Sequence, residues 1–233
     1  AVRRDPLEST VLLGELGLDG RVRSVRGLLP ALIAARRAGM TTAIVPSVQL
    51  REARLVEGLR VWGVHTLAEA AGLLRGETYL EPELGTVEAV HCPAPKDLAD
   101  VVGQPDARYA LEVAAAGGHH IAFTGPPGVG KTLLAERLPT LLPDLTGDEA
   151  LEVSAIHSLL GRSLESGLIT RPPFADPHHS ASVASIAGGG SMVAVPGAVS
   201  RAHLGVLFLD EAPEFSPSAL EALRTPLESG EVV

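Results

Sequence analysis

The segment "IAFTGPPGVGKTLLAERL", residues 121–138, decides the fold of the second half of the chain. Gly125 through Thr132 matches the pattern G-x-x-x-x-G-K-[ST], in which glycines let successive backbone N–H groups turn toward a phosphate. The apolar residues 121–124 predict a short buried strand before this loop, and the helical spacing of apolar residues after Lys131 predicts a helix that begins at its end. Strand, loop and helix in this order predict a nucleotide-binding α/β domain.

The loop side chains have expected roles in binding ATP and Mg²⁺. The ammonium group of Lys131 is expected to reach the β- and γ-phosphates and to act in catalysis, and the hydroxyl of Thr132 is expected to bind Mg²⁺. The positive end of the following helix faces the same phosphates. The predicted nucleotide-binding residues of the loop are Gly125, Pro126, Pro127, Gly128, Val129, Gly130, Lys131 and Thr132.

A second motif, "GVLFLDEAPEF", occupies residues 205–215. Val206 to Leu209 are continuously apolar, which predicts a parallel strand buried on both faces. Asp210 is expected to join the magnesium shell, and Glu211 is expected to polarise the attacking water as a base. Two solvated acids after a strand are the alternative, which the phosphate loop upstream disfavours. Together the two motifs predict an ATP hydrolase.

The chain between the two motifs is longer than a minimal nucleotide-binding core requires. Seventy-nine positions separate Lys131 from Asp210, whereas two helices, a strand and turns need roughly 40–45 residues. Part of the surplus, "LEVSAIHSLLG", has helical spacing. Residues 184–195 hold two apolar segments around Gly188–Gly190, which predicts a hairpin with a glycine tip.

Two histidines in the same stretch raise the question of a metal site. Asp176, His178 and His179 are candidate ligands. Adjacent histidines in an extended chain point to opposite faces, and there is no cysteine nearby to complete a zinc site. The sequence therefore favours histidines that are hydrogen-bonded within the loop.

The first 76 residues predict a separate α/β module. Asp19-Gly20 lies between apolar segments, which predicts a hairpin with a two-residue turn. The pattern then alternates between helix and strand. The predicted elements are a helix over residues 27–39, a strand over 41–46, a helix over 47–58 with Ser47 as N-cap, a strand over 59–64, and a helix after Thr66 with Glu69 completing a capping box.

Composition limits the class of protein. The formal charge of −9 argues against a generally basic nucleic-acid binder, although a ring that concentrates contacts in its pore is compatible with it. A single cysteine, Cys92, allows no internal disulfide. No apolar run approaches the ~18 residues of a membrane span, and no signal peptide is recognisable at the start. We expect a soluble cytoplasmic protein with no membrane partner.

The segments "VVGQPDARYALEVAAAGGHHIAFTGPPGVGKT", "RPPF", "PHHSAS", "GGGS" and "AHLGVLFLDEAPEF" resemble, in this order, the magnesium-chelatase-like AAA+ family of the ComM/YifB type over about residues 101–233. The resemblance implies a P-loop AAA+ core with three α/β/α layers and nucleotide contacts at Val102, Gly103 and Gln104. It also implies a ring, a hexamer, that acts on single-stranded or branched DNA as an ATP-driven translocase or helicase. Branch migration in recombination or natural transformation would be its task.

The same resemblance suggests a role for the surplus residues. Members of this branch carry an insert in their second helix that projects toward the pore of the ring. The insertion is expected at about residues 175–200, with Gly188–Gly190 at its tip. No Lys or Arg occurs between Asp176 and Ser200, so contact with phosphates there would need backbone N–H groups.

Residues 12–46, "LLGELGLDGRVRSVRGLLPALIAARRAGMTTAIVP", resemble the proteolytic domain of Lon-type proteases. Such a protease needs a serine activated by a lysine, and the lysine position after Gly27-Leu28 holds Leu29. A leucine transfers no proton, so we expect no proteolysis. The segment that would carry the serine is not found upstream.

The expected domain organisation is therefore a partial, non-proteolytic Lon-protease-like α/β domain at residues 1–76, a linker at 77–100 and an AAA+ core at 101–233. The core is expected to end before the sensor, arginine-finger and lid regions. Two alternatives remain open: a chelatase-type motor that remodels a protein partner for magnesium insertion into a tetrapyrrole, and a nucleotide-dependent adaptor, which the Asp210-Glu211 pair disfavours.

Overall fold

A computed structural model describes residues 5–80, 96–189 and 194–232. The chain divides into two compact units. The first consists of Ala1–Val90 with Ser154–Leu168, and the second consists of His91–Val153 with Ile169–Val233. Residues 154–168, expected in the AAA+ core, thus group with the first unit. Most of the expected linker, residues 81–95, lies outside the described residues.

The first unit is built on a parallel three-stranded sheet. Thr42–Pro46 is the central strand, paired with Thr10–Leu12 on one side and with Arg60–Val64 on the other. A separate antiparallel pair joins Glu15–Leu16 to Val22–Arg23. The helices are Asp5–Glu8, Leu28–Arg37, Leu50–Ala53 and Leu67–Arg75, with a 3-10 turn at Ser47–Gln49.

The helix Leu28–Arg37 confirms the predicted helix and forms much of this unit's core. Its apolar face is buried at helical spacing, and Gly39 ends it in the left-handed conformation that glycine adopts without a steric penalty. The buried residues of this face are Leu28, Leu29, Leu32 and Ile33. The two predicted strands, residues 41–46 and 59–64, are also confirmed, as the central strand Thr42–Pro46 and the neighbouring edge strand Arg60–Val64.

Three details of the first unit differ from the prediction. The Asp19-Gly20 hairpin exists, but its connection has five residues, since the last paired residues are Leu16 and Val22. The segment after Pro46 forms a 3-10 turn and a short helix, and Ser47 makes no capping hydrogen bond. At the helix Leu67–Arg75, the predicted N-cap Thr66 accepts the backbone N–H of Glu69, but the carboxylate of Glu69 accepts from the backbone N–H of His65, one residue before the N-cap.

The second unit contains the phosphate loop and is held together mainly by helices. The longest that lies wholly within it is Pro105–Gly117, which has proline in its first turn and the left-handed Gly118 at its end, as predicted. Shorter elements complete the unit. They are Leu98–Asp100, Lys131–Ala135, Leu138–Leu141, Val183–Ala187, Ala198–Arg201, Ala212–Glu214, Pro217–Glu221 and Arg224–Ser229. The helix Gly147–Leu159 confirms the predicted helical segment, and its residues are shared between the two units.

Two strand pairs occur among the described residues of the second unit. Phe174–Ala175 and Val206–Leu207 are parallel, and Gly188–Gly189 and Val195–Pro196 are antiparallel. Both units therefore contain helices, and each contains parallel strand pairing, which confirms a mixed α/β fold.

The strands predicted before the two motifs, at residues 121–124 and 206–209, are absent or shortened among the described residues. Among the described residues, 121–124 pair with no neighbouring strand. Ile121 and Phe123 pack on the cluster formed by Leu98, Val101, Leu111 and Leu134, while Ala122 and Thr124 are exposed. The predicted strand Val206–Leu209 is paired only at Val206–Leu207, and all four residues are half-buried. A strand ladder needs partners, and an apolar run alone does not specify them.

The hairpin predicted at residues 184–195 is confirmed where Gly188–Gly189 pair with Val195–Pro196. The segment before the glycines, however, is not a strand. The apolar segment upstream of the glycines is a helix, Val183–Ala187, whose N-cap Ser182 accepts from Ser185 N–H. The antiparallel pair begins only at Gly188. Gly188 and Gly189, which were predicted at the tip, are instead paired with Pro196 and Val195, and residues 190–193 lie outside the described residues. At the base, a side chain on Gly197 would overlap the backbone of residues 186–188.

The longest helices among the described residues have 13 residues. None of the described helices is both long and apolar enough to cross a membrane.

Candidate nucleotide-binding site

The phosphate loop turns sharply at its glycines. Gly128 and Gly130 have φ angles of 80° and 90°, where a side chain would be strained. The ammonium group of Lys131 folds back over the loop and donates to the carbonyl oxygens of Gly125 at 2.8 Å and Pro126 at 3.1 Å. The side chain of Lys131 therefore closes the loop through two hydrogen bonds to its first residues.

The two sequence motifs meet at one hydrogen bond. The hydroxyl of Thr132 donates to Oδ2 of Asp210 at 2.9 Å, and Oδ1 of Asp210 accepts the backbone N–H of Glu211 at 3.0 Å. Thr132 lies in the first turn of Lys131–Ala135, and Asp210 follows the strand Val206–Leu207. Both side chains are exposed, so a ligand can reach them.

Glu211 has a left-handed backbone with φ of 52°, an uncommon conformation for a residue other than glycine. It immediately precedes the 3-10 turn Ala212–Glu214. Such conformations persist where the surroundings enforce them, and they cluster at functional sites. The side chain of Glu211 is exposed.

The histidine pair lies beside this carboxylate. Nδ1 of His178 accepts the backbone N–H of Ser180 at 3.2 Å and lies 2.8 Å from its hydroxyl, which confirms the expectation of loop hydrogen bonding. The ring of His179 packs on that of His178, with centroids 4.0 Å apart, so the expectation that the two side chains point to opposite faces is wrong. Its Nδ1 is 3.9 Å from Oε2 of Glu211. Nothing in the sequence indicated this neighbourhood, because 32 positions separate His179 from Glu211.

The three residues expected to contact the nucleotide, Val102, Gly103 and Gln104, differ in their placement. Gln104 reaches the phosphate loop, where its Nε2 donates to the carbonyl oxygen of Val129 at 3.0 Å. Val102 is 95% exposed, and Gly103 has a left-handed backbone. The direct link between Gln104 and the loop was not anticipated from the pattern of the motif.

A cavity of about 900 Å³ adjoins the site within the second unit. Its walls include residues 121–124 and 205–209, the segments that precede the two motifs. Lys131, Asp210 and Glu211 line it as well. The charged groups of both motifs therefore face one open space.

The chemistry of this donor set suits Mg²⁺. Magnesium prefers hard oxygen ligands, typically one or two from the protein, with the rest supplied by water and phosphate. The hydroxyl of Thr132 and the carboxylate of Asp210 provide two such oxygens next to the loop N–H groups. The residues present thus fit a magnesium nucleotide.

The family described as magnesium chelatase, subunit ChlI, matches residues 97–233, and a family described as subunit ChlI of Mg-chelatase matches residues 1–49. An uncharacterised protein of Mycobacterium tuberculosis is 62% identical over 97% of this chain and 45% of its own length. Competence protein ComM of Haemophilus influenzae is 41% identical, over 97% of this chain and 45% of that protein. YifB of Escherichia coli is 42% identical, over 97% and 44%.

The chain belongs to the magnesium chelatase subunit ChlI family, and within it to the ComM/YifB type. The chain spans less than half the length of these curated relatives. A more limited similarity, 34% identity over 59% of this chain and 26% of the other, links it to Lon protease 2 of Bacillus subtilis.

Proposed function

We propose that this chain carries the ATP-binding and hydrolysing site of an AAA+ motor. The observation that carries the proposal is the hydrogen bond between Thr132 and Asp210, which joins the phosphate loop to the Asp-Glu motif. The loop N–H groups and Lys131 bind the phosphates in this scheme. Membership of the magnesium chelatase family supports the use of a nucleotide and Mg²⁺.

Each polar side chain has one task in the proposed hydrolysis. Thr132 and Asp210 would hold Mg²⁺, which when bound neutralises charge that develops on the phosphate oxygens. Glu211 orients a water molecule and accepts its proton. Lys131 leaves the carbonyl oxygens of its own loop and contacts the terminal phosphates.

We further propose that the motor forms a hexameric ring in the cytoplasm and acts on single-stranded or branched DNA, promoting branch migration. The printed name of the Haemophilus influenzae relative, a competence protein, supports a connection with incoming DNA. The hairpin that begins at Gly188–Gly189 is the proposed pore-facing contact element. At its base, Gly188 and Gly197 approach each other too closely for side chains.

The first unit has no proteolytic task in this proposal. Leu29 lies at the position where the Lon resemblance expects a lysine, and its side chain is fully buried in the helix Leu28–Arg37. A buried aliphatic side chain can neither donate nor accept a proton. We propose that this unit is a partial Lon-like domain that serves as a scaffold or partner-binding module.

The test is ATP hydrolysis by the complete protein without nucleic acid, with duplex DNA and with branched DNA. Wild type is expected to hydrolyse ATP faster with branched DNA, and Glu211→Gln is expected to bind ATP but lose turnover. No response to any DNA would refute the DNA assignment. No turnover by wild type in any condition would refute the motor itself.

The family description favours a second candidate, a chelatase-type motor that remodels a protein partner for magnesium insertion into a tetrapyrrole. The same assay distinguishes it. Stimulation by a magnesium chelatase partner protein, with no response to DNA, would establish the second candidate in place of the first.

A further inference from the structure

Gln104 links the start of one helix to the phosphate loop. Its Nε2 donates to the carbonyl oxygen of Val129 at 3.0 Å, across 25 positions of sequence. Gln104 immediately precedes the helix Pro105–Gly117, and its backbone carbonyl accepts the N–H of Arg108. The side chain therefore extends from a well-anchored helix terminus to the tip of the loop.

The backbone at this point is held in an uncommon conformation. Gln104 has φ of 54° and Gly103 has φ of 81°, so two consecutive residues are left-handed. The left-handed conformation is unfavourable for glutamine, and it persists only where the surroundings enforce it. Here it accompanies the turn that lets the amide of Gln104 reach Val129.

The acceptor of this hydrogen bond belongs to a peptide group with a free donor. A trans peptide is planar, so its C=O and N–H point to opposite sides. When Gln104 binds the carbonyl of Val129, the N–H of Gly130 in the same peptide points away from Gln104. Within the described part of the chain, the N–H groups of Gly128, Val129 and Gly130 donate to no backbone acceptor.

Free N–H groups in a glycine-rich turn are the groups that bind phosphate oxygens. Rotation of the Val129–Gly130 peptide would exchange its C=O and N–H directions and present an oxygen to the phosphates. Glycine at position 130 makes this rotation easy, because it adds no side-chain restriction. A hydrogen bond to the carbonyl of Val129 opposes the rotation.

We propose that Gln104 is a positioning residue, which fixes the Val129–Gly130 peptide so that the Gly130 N–H faces the phosphates of the bound nucleotide. The inference rests on the proposed nucleotide-binding function and gives Gln104 a task other than contact with the base. Loss of its side chain weakens the binding of any polyphosphate, whatever base it carries.

The experiment compares the affinity of the complete protein for Mg·ATP, Mg·GTP and magnesium tripolyphosphate. Gln104→Met removes the amide while keeping a side chain of similar length and no charge, and Gln104→Ala repeats the test with a smaller residue. Each substitution is expected to lower the affinity for all three ligands by a similar factor, roughly 2- to 10-fold, which corresponds to the loss of one neutral hydrogen bond. Val113→Met, at an exposed position of the following helix, is the matched control and should change none of them.

Thermal unfolding of each variant distinguishes positioning from general damage, and the unfolding temperature is expected to stay at the wild-type value. Weaker binding of ATP alone would overturn the inference and assign Gln104 to the base. Unchanged affinity for all three ligands in a folded Gln104→Met would also overturn it. If Lys131→Ala abolishes binding while Gln104→Met binds as tightly as wild type, the inference about Gln104 is wrong but the proposed nucleotide site stands. If wild type binds none of the three ligands, the proposed function is wrong as well.

Discussion

The hydroxyl of Thr132 donates a hydrogen bond of 2.9 Å to the carboxylate of Asp210, although 78 positions separate the two residues. The bond brings the hydroxyl oxygen of Thr132 and a carboxylate oxygen of Asp210 together. A magnesium nucleotide would then find its protein ligands already adjacent, which reduces the ordering that binding requires.

Thr132→Val keeps the shape of the side chain but removes the hydroxyl. We expect ATP turnover by the complete protein to fall by roughly 10-fold or more, since a hydrogen bond to a charged group contributes about 1.5–3 kcal/mol. Thr132→Ser retains the hydroxyl and is expected to recover most of the activity. Equal loss in both variants would show that the threonine methyl group, and not its hydroxyl, matters.

Gly205→Ala is expected to destabilise the second unit. A Cβ at this position would overlap the carbonyl oxygen of Pro173, which belongs to the backbone and cannot turn aside as a side chain can. The overlap would separate Phe174–Ala175 from Val206–Leu207, the strand pair that precedes Asp210. Overpacking of this kind costs about 1–3 kcal/mol, and chemical unfolding of the 233-residue chain followed by circular dichroism measures it.

Gly147→Ala is the matched control for this substitution. Gly147 begins a helix, and a Cβ there meets open space. Alanine should be neutral or stabilising by up to about 1 kcal/mol at this position. The prediction is contradicted if the two glycine substitutions change the free energy of unfolding equally.

Ser158→Ala is expected to destabilise the first unit. Glu52 is 6% exposed, and its carboxylate accepts the hydroxyl of Ser158 at 2.6 Å and the side-chain N–H of Gln49 at 3.2 Å. Removal of one donor leaves a buried carboxylate less well solvated, which costs about 1–3 kcal/mol. Trp62 is the single tryptophan of the chain and lies in the first unit, so its fluorescence reports this loss directly.

The exposed Ser163 serves as the control in the same assay. Ser163→Ala should leave the urea midpoint of the Trp62 signal within experimental error of wild type. If Ser158→Ala does the same, the buried hydrogen bond to Glu52 contributes nothing to stability.

Glu149→Gln is expected to lower stability only above moderately acidic pH. The backbone N–H and the hydroxyl of Thr146 donate to Glu149 at 2.8 Å and lower the pKa of this carboxyl below its ordinary value of 4.5. A lowered pKa stabilises the folded state above pH 4.5, and this stabilisation is lost as the pH falls through the folded-state pKa. Glutamine resembles the protonated carboxyl, so the two proteins should converge in acid.

The measurement is the difference in unfolding temperature between wild type and Glu149→Gln from neutral pH down to the acid limit of the fold. A difference that stays constant over this range would mean that the ionised carboxylate is not what caps the helix.

Local patterns predicted the elements that depend on local interactions. The helix Pro105–Gly117 has a proline at its start and a left-handed glycine after its end, and both signals act within a few residues. The strands Thr42–Pro46 and Arg60–Val64 are mostly apolar runs that pair with each other in a parallel sheet. The Asp210-Glu211 pair was recognisable because it directly follows such a run.

Features that depend on distant partners were not predictable from the pattern. Residues 121–124 have the composition of a strand, yet a strand forms only where neighbours supply a ladder. The approach of His179 to Glu211 and of Gln104 to Val129 is set by packing between segments far apart in sequence. No spacing rule connects such pairs.

The ammonium group of Lys131 has two acceptors within its own loop, the carbonyl oxygens of Gly125 and Pro126. Phosphate binding therefore replaces these hydrogen bonds with others and does not simply add new ones. When the products leave, the ammonium group of Lys131 can again donate to the carbonyl oxygens of its own loop. In the proposed motor, the ammonium group of Lys131 would therefore have hydrogen-bond acceptors both with and without a bound phosphate.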